Sequence, residues 1–344
     1  MKTLRFELDP WNPDPAVLEE AAAVLRRGGL VAFPTETVYG LGANALDPEA
    51  VRKIYTAKGR PSDNPLILHL SRPEQAESLV CVDERARRLM AAFWPGPLTL
   101  VLKARDVVPL VTRGGLDTAA LRMPDHPIAG ALIEAAGCPI AAPSANVSGR
   151  PSPTDAQTVW EDLQGRVDVV LDGGPVRVGI ESTVIDVSGG GKPLLLRPGG
   201  MSREVLEEFL GVPLGVPDGQ SKRRSPGTRY RHYAPAIPVR VWRPGEPLVL
   251  EDGQSPGKWA FMGLSEPPAR FGHVLRFASV ENYARGLFTA FRTLEGSWRG
   301  IVAEWPPETG VGLGLRDRIF RAASVSEEKK GIIQEVEANF TLEE

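Results

Sequence analysis

Five short runs of this chain combine hydroxyl, amide and cationic side chains at the ends of apolar segments. In the first, Phe33-Pro-Thr-Glu-Thr-Val-Tyr-Gly-Leu-Gly42, an apolar stretch breaks at Pro34 into Thr35, an acid and Thr37, then relaxes through two glycines. The second, Lys58-Gly-Arg-Pro-Ser-Asp-Asn64, carries two cations off a helix end and leads into an apolar run holding His69. Arginine offers a planar fork and lysine a point charge, a combination suited to a polyphosphate. The third run is Thr118-Ala-Ala-Leu-Arg122, and the fourth Ala141-Ala-Pro-Ser-Ala-Asn146 with its continuation to Ser152. The fifth pairs Glu181-Ser-Thr183 with Arg197-Pro-Gly-Gly200. Each alone is a turn or a solvated loop. Together they describe a cavity lined for an anionic ligand, because open α/β sheets bind ligands beyond the carboxyl ends of their strands.

The familiar alternatives are missing. There is no GxxxxGK[ST] phosphate loop, no GxGxxG after a strand and no cysteine–histidine pair. The four histidines, His69, His126, His232 and His273, lack metal-ligand spacing, so no protein-held metal is expected. Gly310-Val-Gly-Leu-Gly314 is glycine-rich but has no basic partner, and reads as the opening of a helix.

The elements that must position these residues follow from periodicity and caps. Helices are predicted over Pro15–Arg27, from Asp47-Pro48 to Ala57, over Asp83–Trp94 and Ile128–Ala136, and from Thr154 and Ser202. Strands are predicted at Leu30–Phe33, Pro65–Leu70, Leu98–Lys103, Thr118–Arg122, Ile140–Ala142, Val167–Leu171, Thr183–Val187 and Leu194–Arg197. Some strands follow one another directly, which predicts a twisted, mixed α/β sheet with an open cavity. Residues 211–237 hold few aliphatics, many Gly and Pro, and a basic cluster around Lys222–Arg231, the signature of a linker. Beyond it, strands at Val239–Trp242, Trp259–Met262, Val274–Phe277 and Ile301–Ala303 alternate with helices at Val280–Leu294 and Leu313–Ala323. The expected division is residues 1–210, a linker, and a smaller Rossmann-like α/β domain over 238–344.

A chain of 344 residues, 42% hydrophobic and 24% charged, fits two globular domains. Its net charge of -3 argues against stable nucleic-acid binding over the whole surface. Two separated cysteines, Cys81 and Cys138, make no disulfide framework, and no apolar run approaches a membrane span. Residues 1–15 are polar and proline-rich, unlike a signal peptide, so a cytoplasmic location is expected.

The combined motifs resemble the YrdC-like family, which includes the threonylcarbamoyl-AMP synthases. The PTETVYGLG run, Lys58-Gly59-Arg60 and Ser144-Ala145-Asn146 stand in family order, and Ser225-Pro-Gly-Thr-Arg-Tyr-Arg-His-Tyr-Ala-Pro235 looks like the SPGxxYxHYxP segment of the longer, two-domain form. Thr228-Arg229 departs from a frequent Met-Lys but keeps a cation. The resemblance covers the first domain and linker strongly and the last hundred residues loosely.

It implies that threonine's amine takes up bicarbonate or CO2 and that the carbamate attacks the α-phosphate of ATP. The products are threonylcarbamoyl-AMP and pyrophosphate, with Mg2+ accompanying ATP and a downstream tRNA threonylcarbamoyl transferase receiving the adenylate. By carry-over, Thr35, Thr37, His69, Arg122, Ala142 and Ser182 form the threonine pocket, Arg122 clamping the carboxylate and Ala142 contributing backbone. Lys58 and Arg60 face the phosphates as the catalytic cations, while Asn64, Thr118, Ser144, Asn146, Ser152, Arg197, Tyr230 and His232 serve ATP. The segment Ser225–Pro235, with tyrosines and cations but no core, is expected to close as a lid. Two competing readings are a carbamoyl-transfer maturation factor, disfavoured by the missing cysteine-rich module, and an RNA-binding module.

Overall fold

The computed structural model describes residues 2–226, 233–250 and 255–323. Its larger sheet is built from β1 (Leu4–Glu7), β2 (Val31–Phe33), β3 (Gly40–Asn44), β4 (Ile67–His69), β5 (Leu98–Lys103), β6 (Thr118–Arg122), β7 (Ile140–Ala141), β8 (Val169–Asp172), β9 (Thr183–Asp186) and β10 (Leu194–Arg197). These ten strands run in the order β1-β8-β2-β3-β7-β4-β6-β5-β9-β10. Parallel pairs such as β4 with β6 alternate with antiparallel ones such as β5 with β6, so the sheet is mixed as predicted.

Seven helices accompany it: α1 (Pro15–Arg26), α2 (Pro48–Lys58), α3 (Ala76–Leu79), α4 (Glu84–Phe93), α5 (Pro127–Ala136), α6 (Ala156–Leu163) and α7 (Arg203–Leu210). Their ends sit where the sequence has capping residues. Asp47 accepts from the Glu49 and Ala50 amides, with Pro48 at the first helical position, and Gly59 closes α2 at φ 62°. Asp83, Asp155 and Ser202 cap α4, α6 and α7 in the same way. On one side, Leu18 and Leu25 of α1 and Ile128 and Leu132 of α5 pack with Val31 and Phe33. On the other, Ile54 of α2 and Leu89 of α4 pack with Leu68, Leu100 and Leu121.

Two strands were not predicted. β1 lies in the polar N-terminal stretch and is specified by its parallel register with β8, Leu4 opposite Val169. β3 falls in the run expected to be a relaxed turn, because two glycines lower its strand propensity. Those glycines answer crowding: a Cβ on Gly42 would stand 2.7 Å from Ile140 Cγ2 and 2.8 Å from Phe33 Cε1.

The second sheet is wholly parallel, with β11 (Val239–Trp242), β12 (Ala260–Gly263), β13 (His273–Arg276) and β14 (Ile301–Glu304) in the order β11-β14-β12-β13. Helices α8 (Val280–Leu294) and α9 (Gly312–Ala322) pack against it through Tyr283, Phe288, Phe291, Leu315 and Ile319. This apolar cluster also takes in Val38, Ile180 and Tyr233, so the two lobes share a core. The glycine-rich Gly310–Gly314 run makes that contact possible, since a Cβ on Gly314 would lie 2.8 Å from Gly199 Cα.

The described linker residues also differ from a free spacer. Leu214 and Ser225 are buried, Gly215 bridges Leu194, and Arg224 pairs with Asp186 at 2.8 Å. Backbone pairing and one ion pair dock a segment too poor in aliphatics to fold alone.

Leu121, fully buried in β6, tests this core. Leu121→Ala is expected to destabilise the protein by about 2–5 kcal/mol, read as a lower denaturant midpoint with an unchanged m-value.

Candidate active site

The ends of β2, β4, β6, β7, β9 and β10 surround a cavity of about 590 Å³, counting the space at its mouth. Of the predicted residues, Thr35, Thr37, Arg60, His69, Arg122, Ala142, Ser144, Ser182 and Arg197 line it.

Thr35 and Thr37 follow β2 in a turn held by their own hydroxyls. The Thr35 hydroxyl donates to the Val38 carbonyl at 2.7 Å and lies 2.8 Å from the Thr37 hydroxyl. Its one proton being used, Thr35 must accept from Thr37, which leaves the Thr37 lone pairs for a ligand. The Val178 and Gly179 amides donate to the carbonyls of Glu36 and Thr37, fixing the turn against the neighbouring loop.

His69 and Arg122 are register partners on β4 and β6. Burial first, and the Arg122 cation second, push the His69 imidazole down to about 3, so the ring is neutral near pH 7. Arg122 Nη2 stands 2.5 Å from a Glu36 carboxylate oxygen, and Nε donates to the Gly96 carbonyl at 3.2 Å. Glu36, 2% exposed, is the buried partner of Arg122, which the motif alone does not single out.

Ser182 and Arg197 form the opposite wall. Arg197 donates to the Ser182 carbonyl and hydroxyl and to the Pro226 carbonyl, while the Ser182 hydroxyl also meets Thr99 at 2.8 Å. Burial lowers the Arg197 guanidinium below its ordinary range, and burial brings Arg60 down to about 10. Glu181, likewise not singled out by its motif, lines the cavity beside Ser182. Burial opposes its charge, yet Arg318 and Arg197 hold the carboxyl below the usual range. Pro226 and Tyr233, both within the expected lid segment Ser225–Pro235, complete the wall. Tyr230 and His232 lie outside the described residues, as do the rest of 227–232.

Five expected ligand residues do not line the cavity. Lys58, expected in a polar loop, is the last residue of α2 and 2% exposed. Its ammonium donates to the carbonyls of Ser144, at 2.5 Å, and Asn146, so it ties the Ser144–Asn146 turn to the helix end. Burial first, then Arg60, holds it well below the ordinary lysine range. The Asn146 amide donates to the Val147 and Arg150 carbonyls, stiffening the same turn. Ser152 donates to Glu181 at 2.5 Å and so serves the wall instead of the space. Thr118 stands at the far end of β6 from Arg122, roughly 13 Å away at strand rise, and Asn64 is buried with no side-chain partner.

The family model of the Sua5, YciO and YrdC proteins, described as telomere recombination, matches residues 23–199. That of the threonylcarbamoyl-AMP synthase C-terminal domain matches residues 201–324. The chain belongs to this family. Threonylcarbamoyl-AMP synthase of Bacillus subtilis is 45% identical, across 94% of this chain and 98% of its own. The Pyrococcus abyssi synthase is 46% identical, across 93% and 96%. The crystal structure of P. abyssi Sua5 complexed with L-threonine superposes with a TM-score of 0.83 at 42% identity, covering 93% of this chain and 98% of that one. The two-domain form of the family expected from the linker motif is thereby shown.

A neutral His69 gives this family member a pH signature. Below about pH 6.5 the unfolded histidine binds a proton that the folded one refuses until about pH 3. Stability should therefore rise with pH across that window and gain nothing from this group above it. Denaturant midpoints followed from pH 3 to 8 should climb more steeply in the wild type than in His69→Gln.

Proposed function

We propose that the chain is a threonylcarbamoyl-AMP synthase, joining L-threonine, bicarbonate or CO2, and ATP, and releasing pyrophosphate. The observation that carries this reading is one cavity with two chemically distinct walls. Arg122, His69, Thr35 and Thr37 make a wall of one paired guanidinium, a neutral imidazole and two hydroxyls. Arg60, Ser144 and Arg197 make a cationic wall whose guanidiniums meet carbonyl oxygens. The first suits an amino acid's carboxylate and hydroxyl, the second a nucleotide's phosphates.

Attack by a carbamate oxygen on the α-phosphate needs no protein nucleophile, so the residues act by positioning and by neutralising charge. Arg122, steadied by Glu36 and the Gly96 carbonyl, receives the threonine carboxylate. Thr37 offers its lone pairs to the substrate hydroxyl or amine. Arg60 and Arg197 hold the phosphates, and Lys58 keeps the Ser144 turn beneath them. Magnesium bound with ATP would supply further neutralisation of phosphate charge. The donor set fits an ion that arrives with ATP: Glu36 and Glu181 are both held by arginines, and among the described residues no group of His, Cys, Asp or Glu converges to cage a metal. The adenylate then passes to a tRNA threonylcarbamoyl transferase. Among the described residues no helix is long and apolar enough to cross a membrane.

Pyrophosphate release from ATP that requires both threonine and bicarbonate is the deciding measurement. Release indifferent to threonine would overturn the assignment. Arg122→Ala alone would strand the buried Glu36 charge, a loss of about 3–5 kcal/mol in stability. The cleaner variant is Arg122→Met with Glu36→Gln, expected to fold and to weaken threonine binding by roughly 2–4 kcal/mol in calorimetry.

Arg60 and Lys58 should separate in their effects. Arg60→Ala is expected to lower turnover at saturating ATP by about 10²–10³-fold with little change in melting temperature. Lys58→Met should lower both, because its ammonium fastens two carbonyls of the wall.

A further inference from the structure

Behind Glu181, outside the cavity, stands Arg318 of α9, the largest side chain of the described residues to be fully buried. It comes from the C-terminal lobe. Its Nε donates to Glu181 Oε2 at 2.7 Å, while Ser152 donates to Glu181 Oε1 at 2.5 Å. The carboxylate is thus gripped from both lobes. Arg318 Nη1 donates to the Pro198 carbonyl at 3.0 Å and to Asp317 at 2.6 Å. Its guanidinium also lies over the Tyr233 ring, 5.2 Å from the centroid, and Phe288 stacks on that ring at 5.4 Å. Tyr233, buried and held at φ 66°, is a strained wall residue that a side chain in the left-handed region keeps only when its surroundings fix it.

We propose that Arg318 is a positioning residue for the cavity, through which the C-terminal lobe fixes Glu181 and Tyr233 as two of its walls. The inference rests on the reaction assigned above. The lobes are joined closely enough for such a role. Arg292 of α8 donates to Asp162 at 2.8 Å and to the Pro151 carbonyl, Thr289 meets Thr154 at 2.8 Å, and Gly314 packs on Gly199. Asp162 in turn accepts from the Val147 amide, next to the turn that Lys58 holds. A guanidinium suits the task because it reaches a carboxylate, a carbonyl and an aromatic face at once, which neither an ammonium nor a thioether does. Without it, Glu181 keeps its burial but loses its strongest cation, and Tyr233 loses the charge over its ring. Both then have reason to turn, carrying Ser182 and the Arg197 contact with them.

The test uses the full chain and begins with wild-type threonine-dependent pyrophosphate release. Arg318→Met strands the buried Glu181 carboxylate and is expected to melt well below wild type; assayed at a temperature where it is fully folded, its kcat is expected to be reduced by more than tenfold. Ethylguanidinium at millimolar concentration should recover part of the kcat of Arg318→Ala, and Arg318→Lys should fall between Met and wild type. A purely structural role would tie the activity lost to the melting temperature lost and would give no rescue. A folded Arg318→Met with wild-type kcat and KM for ATP and threonine overturns the proposal alone. A wild type that releases no threonine-dependent pyrophosphate overturns the reaction and the proposal together. If Arg318→Met does not fold, Arg318→Lys decides: reduced kcat at a wild-type melting temperature supports the role, and an unchanged kcat removes it.

Discussion

Lys58, Arg122, Arg197 and Arg318 are all withdrawn from solvent around one cavity, and the rest of the fold is arranged to answer their charges. A buried cation without a partner loses several kcal/mol of solvation. The answers differ in kind. Arg122 and Arg318 are matched by whole carboxylates, Glu36 and Glu181. Among the described residues Lys58 and Arg197 receive no carboxylate, only neutral oxygens: the backbone and side-chain carbonyls of the Ser144–Asn146 turn, and the Ser182 carbonyl and hydroxyl with the Pro226 carbonyl. Dipoles stabilise a cation less than an anion does, which is why burial lowers the affinity of both groups for their protons. The cavity is therefore neutral on one side and short of negative charge on the other. A polyphosphate supplies what the second side lacks.

This division explains why so much chain is needed around so small a space. The carbonyls that meet Arg197 belong partly to the linker, and the carboxylate that meets Arg318 joins both lobes. Neither lobe closes its charge account alone. The shared apolar cluster, with Val38, Ile180 and Tyr233 packed among residues of α8 and α9, gives the same junction its hydrophobic hold. Glycines at 179, 199 and 314 let the backbones approach where a methyl group would clash.

Much of the fold was legible because its signals are local. Asp47 with Pro48, Asp83, Asp155 and Ser202 cap the helices that the periodicity announced, and Leu98–Lys103 and Thr118–Arg122 are strands residue for residue. β1 and β3 were hidden because register with β8, β2 and β7 makes them strands, and register is a long-range fact. The site divided in the same way. Residues at strand ends pointing into the cavity could be picked out by type and motif, whereas Glu36, Glu181 and Arg318 are recognisable only by the charges across from them. Lys58 shows the opposite error: a cation beside a glycine looks like a loop residue until the carbonyls that bury it are seen. The Gly310–Gly314 run, without a basic partner in its own vicinity, belongs to lobe docking.

In the proposed reaction, the pairing of Arg122 with Glu36 also bears on the ionic state in which the amino acid enters. A threonine carboxylate beside Arg122 makes a second anion on one guanidinium, and neutral His69 adds no compensating charge. The nearest source of positive charge is the substrate's own ammonium, so this wall favours the zwitterion over the free amine. Forming the carbamate removes that positive charge and adds a negative one, which this side of the cavity is poorly equipped to hold. The deficit is met across the space, where Arg60 and Arg197 are short of anions. Charge that appears as the carbamate forms is thereby drawn toward the phosphates it must attack. In this reading the asymmetry of buried charge stabilises the carbamate anion where its electrophile lies, while the protons released from the ammonium as it forms pass to solvent.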